Sequence, residues 1–216
     1  MRSGWLAVLL AAPALGLGTT ARADAPRSSG AIFAQRPLPE GSVSVFGTVG
    51  YPGITAGVRQ GFQGGEVGVV GGFDYTRAAF TADLPARIAL ASSDRWIFGI
   101  GLRLGAFGDL GADYLDRINR PSAGLRLGAE ANFDVRLAPG LDLFAALTTP
   151  VELALTERGE DRYGLRAGGG VELGVADDYS VGLQVLTGPD LVHPRGGRNE
   201  GKWMLGVALG FGRRFF

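Results

Sequence analysis

The chain holds one histidine, His193, and no cysteine. Chemistry near neutral pH must therefore come from carboxylates, guanidiniums or that single imidazole. Asp190 lies three residues before it, in Asp190-Leu-Val-His193-Pro194. An acid that orients an imidazole is half of a hydrolytic site, but no nucleophile stands at a matching spacing. A lone histidine before a proline reads first as a solvated side chain. Asp109, Asp113 and Asp116 are the other acids close in sequence, in the stretch Asp109–Asp116. Their spacing lacks the alternate-residue pattern of a calcium loop. One histidine without cysteines supplies no transition-metal ligand set. The Gly99-Ile-Gly101 pair is followed by no helical pattern, so it is no nucleotide fingerprint. The sequence thus assigns no catalytic residue, no metal and no cofactor.

The remaining chemistry is charge, and its spacing is informative. From Ala123 to Leu137 the odd positions are Ala123, Leu125, Leu127, Ala129, Ala131, Phe133, Val135 and Leu137. The even positions are Gly124, Arg126, Gly128, Glu130, Asn132, Asp134 and Arg136. Successive side chains of a strand point to opposite faces, so one face is wholly apolar and the other is glycine plus charge. The pattern recurs along most of the chain. A glycine-rich charged face suits the crowded interior of a closed barrel, and the apolar face suits lipid. On that register the inward charges are Arg59, Arg87, Arg103, Arg126, Arg136 and Arg166 against Glu66, Asp74, Asp83, Glu130, Asp134, Asp142, Glu152 and Glu172. Buried charges must be paired, and arginine makes bidentate carboxylate bonds better than lysine. Arg103, Arg126, Glu130, Asp134, Arg136, Glu152, Arg166 and Glu172 are the expected polar network of the lumen.

Ten period-2 segments carry these residues: about 42–51, 53–62, 66–75, 77–90, 95–107, 122–137, 140–155, 162–175, 179–187 and 202–215. Connections after strands 2, 4, 6 and 8 are short, and the two longest, about 108–121 and 188–201, fall at the opposite end. That parity fits an antiparallel barrel with both termini at the short-turn end. An eight-stranded barrel that merges two early hairpins is the alternative. Pro85 and Pro150 fall inside proposed strands and predict bulges or strand ends there. Trp96 and Tyr179 begin strands at the short-turn end, and Tyr163 and Trp203 at the other, the two levels that interfacial aromatics prefer.

The ends of the chain add export and assembly signals. Arg2 precedes an apolar run from Trp5 to Leu17, and Ala21-Arg22-Ala23 fits a small-x-small cleavage site. Residues 1–23 are the expected signal peptide, 24–40 a flexible periplasmic leader without periodicity, and 41–216 the barrel. Removing Arg2 and Arg22 leaves 19 Lys+Arg against 21 Asp+Glu, a net charge of −2, which is no nucleic-acid footprint. In the last strand Trp203, Leu205, Val207, Leu209, Phe211 and Phe215 share one face, and Phe216 ends the chain on the other parity. This resembles the terminal strand of the bacterial outer-membrane β-barrel superfamily, in the style of the small OmpA- and OmpW-type barrels. The resemblance covers roughly residues 41–216 by pattern. It implies an all-β transmembrane barrel in the outer membrane, with outer-membrane lipid and the barrel-assembly machinery as partners and Phe216 as the assembly signal. Omptin-type surface proteases of the same architecture use Asp-x-His, and barrel-type lipid A deacylases use His-x-Ser; neither motif is present here.

Four functions remain open on this reading: a structural envelope barrel with an ion-paired interior, a narrow channel for small solutes, a barrel-mouth hydrolase, or a secreted soluble barrel around an apolar ligand. A ten-stranded barrel lies near the size that side chains just fill, which favours the first. The partner of the outer loops is not legible.

Overall fold

The computed structural model describes residues 30–33, 36, 38–112, 120–157 and 159–216. These form an all-β structure of eleven segments: β1 (Val43–Tyr51), β2 (Gly53–Phe62), β3 (Gly65–Asp74), β4 (Ala79–Ser92), β5 (Trp96–Asp109), β6 (Ser122–Ala138), β7 (Leu141–Ala154), β8 (Glu160–Gly164), β9 (Arg166–Gly174), β10 (Tyr179–Pro194) and β11 (Glu200–Phe215). Each pairs antiparallel with its neighbour, and β11 pairs back onto β1, with Val43 opposite Phe215. The sheet is closed. Segments β8 and β9 both lie between β7 and β10, so they are one barrel strand interrupted at Leu165. The barrel therefore has ten strands, and the eight-stranded alternative falls.

Alternation dictates the two surfaces. Leu84, Leu102, Leu125, Leu127, Leu209 and Phe211 point outward and are exposed. Glu66, Asp83, Asp134, Asp142 and Glu172 point inward and are buried. Such an outer surface is far more apolar than single scattered hydrophobics would make it. Trp96 stacks on Phe133 with centroids 6.0 Å apart, and Tyr179 packs against Phe211 at 5.6 Å, both near the short-turn end. Tyr163 and Trp203 are exposed toward the other end.

The two prolines behave differently from expectation. Neither makes a bulge or ends a strand; the register shifts lie at Ala89/Ala91 and Arg136/Ala138. Proline cannot donate to the ladder, so each instead leaves a local gap. The β3–β4 pairing skips from Val67–Ala86 to Val70–Asp83 around Pro85 without changing register. Pro150 faces the break between β8 and β9, and the Leu165 N–H turns to the Pro189 carbonyl at 3.0 Å.

The segment read as an outer loop over 188–201 is also corrected. Strand β10 continues through Gly188 and Pro189 to Pro194, paired with Glu200–Leu205 of β11. Only 195–199 remains as a turn. Because β1 stops opposite Val207, the upper part of the β10–β11 hairpin rises beside the short β1–β2 hairpin, and the rim is low there.

Candidate functional site

Glycines on β5 determine how the inner charges meet. Gly101 lies between Arg87 and Glu130 in the register, and Gly105 lies between Asp83 and Arg126. With no side chain in the way, the charges bond across β5. A Cβ on Gly105 would fall 2.2 Å from Asp83 Oδ1, and one on Gly101 would fall 2.6 Å from Glu130 Oε1. The same pattern of alternate glycines that marks the interior in sequence is thus what lets next-nearest strands exchange ion pairs.

The result is a ladder of alternating charge. Arg59 meets Glu66 at 2.7 Å, and Arg87 joins Glu66 at 3.3 Å and also bonds Glu130. Higher up, Arg126 bonds Asp83 at 2.6 Å and meets Glu152 at 3.3 Å. Arg77, in the turn between β3 and β4, closes the series on Glu152 at 2.9 Å and Asp109 at 2.8 Å. Burial opposes the charge on Arg77, but the two carboxylates outweigh it and hold its pKa above the ordinary arginine value. Charge-assisted bonds of this kind are stronger than neutral ones, and mutual pairing is what makes the burial tolerable.

Arg103 sits in the middle of the ladder and differs. Its nearest carboxylate oxygens are Asp83 Oδ2 at 3.7 Å and Glu130 Oε2 at 3.9 Å, beyond hydrogen-bond range. Both carboxylates already hold a closer arginine. The Arg103 side chain is 37% exposed, against 17% for Arg87 and Arg126.

The short-turn end of the lumen is filled by the chain's own N-terminal segment. Within the stretch expected as a flexible periplasmic leader, Ala31, Ile32, Phe33 and Leu38 are buried, so that expectation is corrected for these residues. The fully buried Glu172 carboxylate accepts the backbone N–H groups of Gly30 and Ala31 at 2.7 Å, Ile32 at 3.2 Å and Phe33 at 2.7 Å. Arg59 Nη2 donates to the Ala31 and Ile32 carbonyls at 2.6 and 2.8 Å, and Ser44 Oγ to the Ala31 carbonyl at 2.7 Å. Phe33 stacks on Phe144, centroids 5.9 Å apart. The wall is shaped for this contact. A Cβ on Gly210 would come 2.6 Å from Ile32 Cγ2, and one on Gly182 would come 2.9 Å from Phe33 Cδ2.

Above this floor lies a cavity of about 360 Å³. It runs from Ile32 and Phe33 to the Tyr51–Gly53 turn at the low rim. Arg103 projects into it from the charged wall, whereas β10 and β11 contribute Gln184, Met204, Gly206 and Ala208.

The expected lumen network is therefore divided rather than continuous. Arg103, Arg126, Glu130 and Glu152 belong to the ladder. Arg166 pairs with Asp190 at 2.7 Å, Arg136 with Asp142 at 3.4 Å, and Glu172 holds the leader. Asp134 is fully buried near the short-turn end. Asp74 caps the β3–β4 turn through the Thr76 N–H at 2.9 Å instead of pairing in the lumen. Sequence reasoning missed Arg77, Asp109 and Asp190 as inward partners. The alternation of β10, continued past Gly188, would have placed Asp190 inward.

Asp190 and His193 do not meet. They lie on opposite faces of β10; Asp190 is buried on Arg166, and His193 is exposed and bonded through Nδ1 to Asn199. Asp109 is committed to Arg77 and to the Gly111 N–H at 2.8 Å. Asp113 and Asp116 lie outside the described residues, as do the signal segment 1–23 and its cleavage site. Phe216 is exposed beyond the end of β11, with the Arg214 guanidinium 5.8 Å from its ring. Trp203 Nε1 donates to Thr187 Oγ1 at 2.7 Å. No protein-family model matches the chain, and no curated protein matches it.

Proposed function

We propose that the protein is a non-enzymatic outer-membrane β-barrel, exported by residues 1–23, whose interior is sealed and whose role is structural in the bacterial envelope. The observation that carries this reading is the leader seated in the lumen, with four consecutive N–H groups on the Glu172 carboxylate. A sealed lumen favours an envelope component over a conduit. The outer surface supports the location. An apolar band flanked by Trp96 and Tyr179 at one end and Tyr163 and Trp203 at the other matches the demands of a bilayer with two interfaces. A soluble barrel would have to leave that surface in water at a cost of about 25 cal/mol per Å². Phe216 remains the proposed mark for the assembly machinery.

A second reading, a narrow solute channel, is favoured by the cavity above the leader. Single-channel recording separates the two. The mature protein, refolded into planar bilayers and shown to be folded by heat-modifiable gel migration, should give no conductance steps. Stable steps from the intact chain would replace the sealed reading with the channel.

A further inference from the structure

Ile32 and Phe33 of the N-terminal segment line the cavity at its lower end, and their contacts with the barrel wall leave room above them for a small solute. Its volume of about 360 Å³ lies within the range of small-molecule sites. Its most distinctive group is Arg103. Along the middle of the ladder, Arg87, Arg103 and Arg126 share Asp83 and Glu130. The outer carboxylates, Glu66 and Glu152, are already bonded to Arg59 and Arg77. Arg87 also reaches Glu66 and Arg126 also reaches Glu152, so of these three guanidiniums Arg103 alone makes no hydrogen bond among the described residues. Its side chain is also the most exposed among the arginines of the ladder. Thr81, Thr148 and Gln184 line the same cavity with neutral hydroxyl and amide groups.

We propose that this cavity is a binding site for a small oxoanion, a carboxylate- or phosphate-bearing solute, with Arg103 as its anchoring residue. The planar guanidinium fork matches two oxygens of such a group. Threonine hydroxyls and the Gln184 amide then satisfy polar groups on the body of the solute. Asp83 and Glu130 lie 3.7 and 3.9 Å from the guanidinium, near enough to favour its charge and too far to occupy its N–H groups. This inference goes beyond the sealed-barrel reading and does not require a membrane, since the cavity is lined by the chain's own residues.

Isothermal titration of the folded protein in detergent, at fixed ionic strength, with inorganic phosphate, sulfate and succinate in separate runs tests it. Saturable binding of at least one is expected, and the ranking of phosphate against succinate tells a phosphate-bearing solute from an organic acid. Arg103→Gln should weaken binding by about tenfold or more, the effect of losing a charge-assisted bond. Arg103→Lys should fall between the two. Arg213→Gln, which removes an exposed charge far from the cavity, should bind as the parent does. Absence of saturable binding by the folded parent to all three anions overturns the proposal. So does binding by Arg103→Gln at the parental affinity. Should Arg103→Gln fail to fold, the parent and Arg103→Lys decide: equal affinities in those two would overturn the role of the fork.

Discussion

The Glu172 carboxylate of β9 receives the backbone N–H of Phe33 at 2.7 Å, across 139 residues of chain. Strand β9 thereby reads the backbone of the N-terminal segment, not its side chains. Oriented N–H groups converging on one anion form a nest, and here the anion is fixed and the nest is the ligand. The specificity comes from the wall, where Gly182 and Gly210 leave room for Phe33 and Ile32.

Glu172→Ala should release the leader. It leaves four N–H groups without their acceptor in a buried site, at about 1–3 kcal/mol each. Limited proteolysis with proteinase K should then remove residues up to about the start of β1 while the barrel keeps its heat-modifiable migration. Glu172→Gln retains one acceptor oxygen and should be intermediate. A leader equally protected in all three proteins would count against the clasp.

Gly210→Val should displace the same segment by sterics alone. The new side chain would begin 2.6 Å from Ile32 Cγ2, an overpacking that costs about 1–3 kcal/mol. The expected readout is faster proteolysis of the leader with the barrel intact. Unchanged protection would mean that Gly210 is not what seats Ile32.

Arg77→Gln should destabilise far more than Arg213→Gln. Arg77 neutralises the buried pair Asp109 and Glu152, and stripping a buried pair of one partner costs about 3–5 kcal/mol. Arg213 makes an exposed contact with Asp178 at 3.0 Å, worth under about 1 kcal/mol. Urea unfolding followed by tryptophan fluorescence compares them; equal midpoints would remove the ladder from the account of stability.

Leu127→Arg and Arg126→Leu test the two faces at adjacent positions. On the proposed lipid face, Leu127→Arg should cost about 2–4 kcal/mol near the bilayer midplane and much less in a soluble setting. Arg126→Leu strips Asp83 and Glu152 of a partner in either setting. Folding yields into lipid vesicles that tolerate both changes alike would contradict the assignment of faces.

Much of the barrel is legible in the chain because period-2 alternation is a local property. The first seven strands fall within two residues of their sequence-derived bounds, and the count of ten from period-2 segments matches the ten strands of the closed barrel. The inward parity of Arg103, Arg126, Glu130 and Glu152 follows from the same pattern. The sequence pattern ends strand β10 at Thr187 because Gly188-Pro189 has the composition of a turn. In the sheet, Pro189 pairs with Trp203, where the missing donor is tolerated and its carbonyl is used by Leu165.

By itself the sequence determined the alternation and the chemical character of each face, since these depend on residues one or two apart, whereas closure rests on the pairing of β1 with β11. The tertiary structure decided which charges meet and what fills the lumen. Arg126 reaches Asp83 only because Gly105 stands between them on a third strand, and Arg103 is left without a hydrogen bond by the combined register of β4, β5 and β6. The leader has no period to announce it. Gly30-Ala-Ile-Phe33 is too short to signal a fold, and its acceptor Glu172 looks in sequence like any other inward acid. Contacts between segments that distant in sequence carry no local signature, so only the folded chain shows that residues 30–33 sit inside the barrel on the Glu172 carboxylate.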